Sequence, residues 1–230
     1  MGSGCRDGHC LPMTKQALLA QLRGLYAITD TALAQPHDLL VMVESALRGG
    51  ARVIQFRDKI STSSQRLATA TALKALCSKY HALFLINDDV ALALAVDADG
   101  VHLGQTDMAL TAARAQLGAA KIIGVSCHND LSLAATAIQQ TADYIALGRF
   151  FPSRSKPQAP AAALSILREA RQQLSAPLVA IGGVTPDNAL ALIAAGADMV
   201  AAIHGVFGQR DIEAAARAYT GLFSNIRRID

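Results

Sequence analysis

Tryptophan is absent from this chain of 230 residues, and phenylalanine and tyrosine bring the aromatic content to only 4%. The hydrophobic fraction is nevertheless 52%, so the core must be built from alanine, leucine, isoleucine and valine. Small and branched residues of this kind fill the interiors of parallel α/β barrels. The composition therefore favours an α/β protein over an all-β protein.

A strong charge bias is also missing. The formal net charge is +3, and the lysines and arginines are scattered rather than clustered, which argues against a nucleic-acid partner. No apolar run is long enough to span a bilayer, and the N-terminus has no apolar core of the kind that a secretory signal carries. We therefore expect a cytoplasmic protein with no membrane partner.

Cysteines are few and irregularly spaced: Cys5, Cys10, Cys77 and Cys127 form neither a CxxC pair nor a metal-binding pattern. Reduced thiols are the expectation. The opening MGSGCRDGHC is glycine-rich, polar and aperiodic, which is typical of a loose tail. We expect residues 1–22 to form a flexible tail with a lead-in helix, and residues 23–230 to form one catalytic domain.

Short apolar runs of strand type recur along the chain, and most are followed by a stretch with helical spacing, which predicts a parallel sheet covered by helices. Eight such runs in a chain of this length favour a single closed (β/α)₈ barrel over an open sheet. The runs are LYAITD, VIQFR, LFLIND, GVHLG, IIGVSC, YIALGRF, LVAIGG and MVAAI. The stretch between Val90 and Gly100 is short for a complete crossover helix.

Polar residues collect where these runs end, which is the end of a barrel strand that faces an active site. Gln55, Arg57 and Lys59 alternate after the second run, so on a strand they would share one side and suit a diphosphate. The simpler alternative is a solvated strand face, but unpaired cations on a buried strand are costly.

A carboxamide and two carboxylates, Asn87, Asp88 and Asp89, end the third run, and Asp107 follows the fourth. Such hard oxygen ligands suggest Mg²⁺, which often takes one or two carboxylates together with substrate phosphate oxygens. Helix capping is the alternative role for an aspartate at this position. We expect one of Asp88 and Asp89 to cap the helix and the other to bind metal.

Gly182 and Gly183 end the seventh run just before a helix start, a position where a phosphate cup is common in barrels. A glycine pair can also mark nothing more than a tight turn. His128 follows Ser126 at a strand end and could contact an anion or move a proton, whereas His102 lies within a run and suits a satisfied core position.

Taken together, these motifs resemble the thiamine-phosphate synthase family over about residues 24–207. The resemblance implies a transferase of a pyrimidinylmethyl group that joins 4-amino-2-methyl-5-hydroxymethylpyrimidine diphosphate to a thiazole phosphate, with Mg²⁺ as cofactor. It also implies that diphosphate leaves first, so that a pyrimidine carbocation forms and no protein nucleophile is needed. The motifs are GLYAITD, QFRDK, INDDVALALAVDADGVHLGQTD, GVSCHN, DYIALGRFFPSRSKP, AIGGVTPDN and GADMVAAIHGVF.

The family's site residues carry over motif by motif. The pyrimidine diphosphate would be held by Gln55, Arg57, Lys59, Asn87, Ser126 and Lys156. Arg57, Lys59 and Lys156 would be the catalytic cations, and the metal ligands would be Asp88 and Asp107. The thiazole phosphate would be held by Ser153, Ser155, Gly183, Ile203 and His204.

The chain departs from the family pattern at three places. Ser153, Arg154 and Ser155 precede the lysine where two threonines are usual, which keeps the hydroxyl groups. Arg149 adds a cation where a small apolar residue or proline is common. His204 stands near the position of a serine at the end of the eighth strand, which leaves open how side chains hold the thiazole phosphate.

Three alternatives remain. A thiazole tautomerase on the same barrel would use His128 as proton carrier, but it would have no leaving diphosphate to hold. A non-catalytic barrel that binds thiamine phosphate would have no use for so costly a set of buried charges. An aldolase or epimerase barrel would not explain a charge set of diphosphate size.

Overall fold

A computed structural model describes residues 14–34, 38–153, 158 and 160–224. Eight parallel strands close into a barrel in chain order, and the last strand pairs with the first. The predicted single (β/α)₈ barrel is confirmed. The strands are β1 Gly24–Ile28, β2 Val53–Phe56, β3 Leu83–Asn87, β4 Gly100–Leu103, β5 Ile122–His128, β6 Tyr144–Leu147, β7 Leu178–Ile181 and β8 Met199–Ala202.

Two helices follow β1 and two follow β8, and each of the other strands is followed by one helix. With α1 before β1, the described residues contain eleven helices. They are α1 Lys15–Leu19, α2 Thr31–Ala34, α3 Leu39–Arg48, α4 Ser63–Lys79, α5 Val90–Ala95, α6 Leu110–Leu117, α7 Leu131–Gln139, α8 Leu164–Gln173, α9 Pro186–Ala194, α10 His204–Phe207 and α11 Ile212–Ser224. The short stretch before β4 does contain a helix, α5, of only six residues.

Two hydrophobic layers hold the barrel together. The larger layer lies between the strands and the surrounding helices, and the smaller one fills the barrel interior. Leu18 and Leu22, from α1 and the turn after it, are buried with the interior residues Tyr26 and Met199. The segment before β1 therefore packs onto the barrel rather than standing apart from it.

A recurring carboxylate fixes the starts of the even-numbered strands. The residue just before β4, β6 or β8 is an aspartate that accepts a hydrogen bond from a backbone N–H at the start of the preceding strand. Each aspartate also pairs with a cation from the helix just before that preceding strand, which is α4, α6 or α8. The pairs are Lys74–Asp99, Arg114–Asp143 and Arg171–Asp198.

None of the helices in the described part of the chain is both long and apolar enough to cross a membrane. Of the four cysteines, Cys77 and Cys127 are described, and both are buried free thiols. Burial raises the pKa of each to about 12, so both stay protonated at neutral pH. Cys5 and Cys10 lie outside the described residues.

Candidate active site

A cavity of about 290 Å³ lies at the carboxyl ends of the strands, where the polar residues were expected to meet. Its walls combine an apolar floor from the barrel interior with a ring of polar groups from the loops. The predicted site residues that line it are Gln55, Arg57, Asn87, Ser126, Ser153, Gly183, Ile203 and His204. These residues come from six different strand ends and contribute to one pocket.

The end of β2 presents Arg57 to this cavity in a fixed backbone position. The buried hydroxyl of Thr29 accepts a hydrogen bond from the Arg57 N–H at 2.9 Å and donates to the Arg57 carbonyl at 3.2 Å. No hydrogen bond or ion pair holds the Arg57 guanidinium within the described residues. This cation is therefore available for an anion in the cavity.

Lys59 lies farther out than the alternating pattern suggested. The strand β2 ends at Phe56, so Lys59 belongs to the following loop and does not line the cavity. Its Nζ lies 2.6 Å from Oδ2 of Asp88 at the rim. Asp58 braces this loop, because its Oδ1 accepts hydrogen bonds from the backbone N–H of Ile60 at 2.9 Å and of Ser61 at 3.0 Å.

Asp88 and Asp107 form a second polar group at the rim, beside Lys59. Burial alone would raise the pKa of Asp88, but hydrogen bonds from Asp107 and Lys59 outweigh it, and the pKa is lowered. Burial and the bond to Asp88 both raise the pKa of Asp107. Two neighbouring carboxylates whose pKa values shift in opposite directions form a pair that a divalent cation can stabilise.

The neighbouring Asp89 has a different role. Its Oδ1 accepts a hydrogen bond from the N–H of Leu92 at 2.9 Å and so caps the N-terminus of α5. The expected capping aspartate is therefore Asp89, and Asp88 is left for other chemistry. Asp88 adopts a left-handed backbone conformation, φ 64°, of the kind that often accompanies functional positions.

The turn after β7 forms the other end of the cavity. Gly182 and Gly183 both have positive φ, 100° and 63°. A Cβ on Gly183 would lie 2.3 Å from the carbonyl oxygen of Pro152, so this position requires glycine. No acceptor for the Gly183 or Gly205 N–H is found among the described residues, which leaves these amides free to bind an anion.

The side chains around this turn include residues that differ from those usual in the family at the same positions. Arg149, Ser153 and His204 all line the cavity. Nδ1 of His204 is buried and has no hydrogen-bond partner in the part of the chain that the structure describes. Ser155 and Lys156, like Arg154, lie outside the described residues.

Comparison with known proteins agrees with this geometry. The family described as thiamine monophosphate synthase matches residues 25–206. The chain belongs to the thiamine monophosphate synthase family. The match reaches from β1 to α10, and so it includes every described strand end that lines the cavity.

Individual members of the thiamine monophosphate synthase family are similar over nearly their full length. The thiamine-phosphate synthase of Alcanivorax borkumensis is 57% identical over 91% of this chain and 98% of its own. That of Nitrosococcus oceani is 53% identical over 87% of this chain and 92% of its own. The solved thiamine phosphate pyrophosphorylase from Pyrococcus furiosus superposes with a TM-score of 0.82 at 36% identity, and covers 90% of this chain and 98% of that one.

The structure also brings buried residues to the cavity that the sequence did not single out. Tyr26 of β1 lines the pocket and contacts Tyr144 of β6, which is fully buried. His102, expected to be a satisfied core residue, is buried and hydrogen-bonded at both ring nitrogens, yet it also lines the pocket. The sequence did indicate Tyr26 in one way. Side chains alternate between the two faces of a strand, so Tyr26 lies on the same interior face of β1 as Ile28, and both line the cavity.

Proposed function

We propose that this chain is a thiamine-phosphate synthase, which joins 4-amino-2-methyl-5-hydroxymethylpyrimidine diphosphate to a thiazole phosphate and releases diphosphate. The observation that carries this proposal is a single cavity with an unengaged cation, Arg57, on one side and open amides at Gly183 on the other. Two phosphorylated substrates would then meet over the apolar floor between these ends. Family membership supports the same activity.

The diphosphate side would use the cations as electrostatic catalysts. Arg57 and Lys59 lie on the same loop after β2, and Lys156, outside the described residues, would act with them. Negative charge develops on the diphosphate as its bond to the pyrimidine methylene breaks, and preorganised cations stabilise that charge. Asn87 would donate to the same group from the end of β3.

Mg²⁺ fits the rim as well. Asp88 and Asp107 are adjacent carboxylates with opposed pKa shifts, and no cluster of three or more His, Cys, Asp or Glu side chains suited to a metal occurs in the described ranges. Two carboxylates are the usual protein share of a Mg²⁺ site that is completed by phosphate oxygens and water. When bound there, Mg²⁺ would neutralise charge on the leaving diphosphate.

No side chain of the protein would form a covalent bond to either substrate during the reaction. Diphosphate departs with the bonding electron pair, and the 4-amino group donates electron density to the pyrimidine cation that remains. The thiazole nitrogen then attacks the methylene carbon. Gln55 and Ser126 would position the pyrimidine ring, and the apolar floor around Ile28 and Ala201 would keep water away from the cation.

The thiazole phosphate would occupy the turn after β7. Its oxygens would accept hydrogen bonds from the amides of Gly183 and from the backbone at Ile203 and His204, and from the hydroxyls of Ser153 and Ser155. The unpartnered Nδ1 of His204 supports a direct role for this side chain, in place of the serine common in the family.

Diphosphate release from both substrates, with Mg²⁺ and then with a chelator, tests the proposal. We expect release only with Mg²⁺, together with an equal amount of thiamine phosphate. Release without thiamine phosphate, or no release in either condition, would contradict it. Isomerisation of a thiazole phosphate without metal would indicate the tautomerase, in which His128 at the cavity wall would carry the proton. Binding of thiamine phosphate without any turnover would indicate a sensor.

A further inference from the structure

A continuous chain of hydrogen bonds crosses the barrel interior beneath the cavity. Gln55 Nε2 lies 2.6 Å from the Tyr26 hydroxyl, which lies 2.9 Å from the Tyr144 hydroxyl. The Tyr144 hydroxyl lies 2.9 Å from His102 Nδ1, and His102 Nε2 lies 2.8 Å from Ser126 Oγ. We call these five side chains the interior wire. Its two ends, Gln55 and Ser126, both line the cavity.

The orientation of the Gln55 amide, with its nitrogen toward Tyr26, sets the direction of the interior wire. The Gln55 amide nitrogen can only donate, so the Tyr26 oxygen accepts. Tyr26 has one proton, and it is satisfied only if that proton goes to Tyr144. Tyr144 must then donate to Nδ1 of His102, which leaves the His102 proton on Nε2.

The ends of the interior wire therefore have opposite characters. Gln55 lines the cavity and its Nε2 is bonded to Tyr26, so we infer that Oε1 is the atom that meets a ligand. Ser126 accepts the His102 proton, so its own hydroxyl proton is free to donate to a ligand. Reversing either end would leave a buried hydroxyl unsatisfied unless every bond in the chain reversed with it.

The surroundings hold the middle of the interior wire in place. Tyr144 is stacked on His102, with ring centroids 5.6 Å apart, and meets Tyr26 edge-on at 6.1 Å. A Cβ on Gly124 would lie 1.8 Å from Cζ of Tyr144, so the ring occupies the space that this glycine leaves. Burial raises the pKa of both tyrosines, so each keeps the single proton that the direction requires.

We propose that Tyr26, Tyr144 and His102 are positioning residues that set Gln55 as acceptor and Ser126 as donor, and so select an aminopyrimidine over a pyrimidine of inverted hydrogen-bonding pattern. The inference rests on the proposed function for the identity of the ligand. The 4-amino group would donate to Gln55 Oε1, and a ring nitrogen would accept from Ser126. The bond to Gln55 strengthens as positive charge develops on the amino group during diphosphate loss.

The test compares binding of two unreactive monophosphates, the 4-amino pyrimidine and its 4-oxo analogue, by calorimetry. We expect the wild-type protein to prefer the amino form by about 100-fold, because the analogue leaves buried polar groups unpaired. Tyr144→Phe cuts the interior wire in the middle and should reduce this preference to about tenfold or less. The matched control is Tyr80→Phe, which removes a hydroxyl bonded to Glu44 outside the barrel and should leave the preference unchanged.

A second variant and a ligand-free measurement complete the test. Tyr26→Phe frees Gln55 to rotate, so it should lose the preference as well, and it serves if Tyr144→Phe does not fold. An ¹⁵N NMR spectrum of histidine-labelled protein should show His102 protonated at Nε2. A wild-type preference retained in both variants, or a proton at Nδ1, overturns the inference. Failure of wild-type diphosphate release would instead contradict the proposed function, and the NMR result would still decide the direction of the wire.

Discussion

Lys59 Nζ lies 2.6 Å from Asp88 Oδ2, so a cation of the protein occupies the carboxylate that we assign to the metal. Asp88 also shares a hydrogen bond with Asp107, whose pKa is raised by burial and by that bond. Lys59 thus offsets the repulsion between two neighbouring carboxylates. Asp88 and Asp107 would hold Mg²⁺ here, and the ion would supply positive charge beside the leaving diphosphate.

Asp88→Asn should weaken the metal requirement specifically. We expect the Mg²⁺ concentration for half-maximal diphosphate release to rise by about 100-fold, as for the loss of a metal ligand. The melting temperature should change little, because asparagine tolerates the left-handed backbone of this position. Titrating Mg²⁺ in the release assay measures the effect.

Asp89→Asn is the control for that experiment. It changes the adjacent carboxylate in the same way, but asparagine still caps α5, so the Mg²⁺ dependence should match the wild type. Equal changes in the two variants would show that Asp88 has no special role in metal binding.

Arg57→Gln should lower turnover much more than stability. The guanidinium makes no bond to the described residues, so its removal costs little folding free energy, while the leaving charge loses a stabilising cation. We expect kcat to fall by roughly 100- to 1000-fold, with a melting curve close to the wild type. Arg217→Gln, an exposed arginine paired with Glu213 on α11, should leave both unchanged. A loss of stability that matches the loss of rate would assign Arg57 a structural role instead.

The barrel and most of the cavity could be predicted from the sequence because parallel strands carry an uninterrupted apolar signal and end in polar residues. Lys59 was misplaced relative to the strand, since apolar periodicity does not show that β2 ends at Phe56. The hydrogen bonds of the interior wire could not be predicted from the sequence, for a different reason. Tyr26 and Tyr144 are 118 residues apart, and in each strand a single tyrosine is indistinguishable from ordinary core.

Asp143 should be a stability residue without a catalytic effect. Its carboxylate bonds Arg114 at 2.6 Å, Lys15 at 2.7 Å and the N–H of Ile123 at 2.8 Å, all at the end of the barrel opposite the cavity. Asp143→Ala leaves the Ile123 N–H without this acceptor and removes the counter-charge of Arg114 and Lys15, so it should cost about 2–3 kcal/mol of unfolding free energy. Denaturant unfolding measures that cost, and kcat measured on folded protein should stay at the wild-type value.

Asp97→Asn is the comparison for Asp143. Asp97 pairs with Lys121, but its side chain is 87% exposed, so its loss should cost less than about 0.5 kcal/mol. A similar cost for both variants would mean that the recurring aspartates before the even strands add no more than surface ion pairs.

Asp58 should make the stability of the β2 loop depend on pH. Burial would raise its pKa, but hydrogen bonds from the Ser61 and Ile60 amides outweigh burial, and the pKa is lowered. A lowered pKa stabilises the fold above the unfolded-state pKa, and this contribution is lost as the pH falls through the folded-state pKa. Asp58→Asn should therefore lose roughly 1 kcal/mol at neutral pH, and this loss should shrink as the pH falls through the folded-state pKa of Asp58. Urea titrations of the wild type and the variant at several pH values measure this difference.

Gly183 and Gly118 separate the effect of backbone strain from the effect of the phosphate turn. Both have positive φ, 63° and 74°, so alanine at either position is strained by about 1–3 kcal/mol. A Cβ on Gly118 meets nothing within 4 Å, whereas one on Gly183 would lie 2.3 Å from the Pro152 carbonyl oxygen. Gly183→Ala must therefore push the segment that carries Ser153 away from the turn.

The two alanine variants should therefore differ in KM as well as in melting temperature. Gly118→Ala should lower the melting temperature slightly and leave the KM for the thiazole phosphate unchanged. Gly183→Ala should lower the melting temperature further and raise that KM by about tenfold or more, because one misplaced group at a phosphate site costs at least one charge-assisted hydrogen bond. The KM for the pyrimidine diphosphate should change less, since its cations lie on the other side of the cavity. If the KM for the pyrimidine diphosphate rose instead, the two substrates would have to be exchanged between the two ends of the cavity.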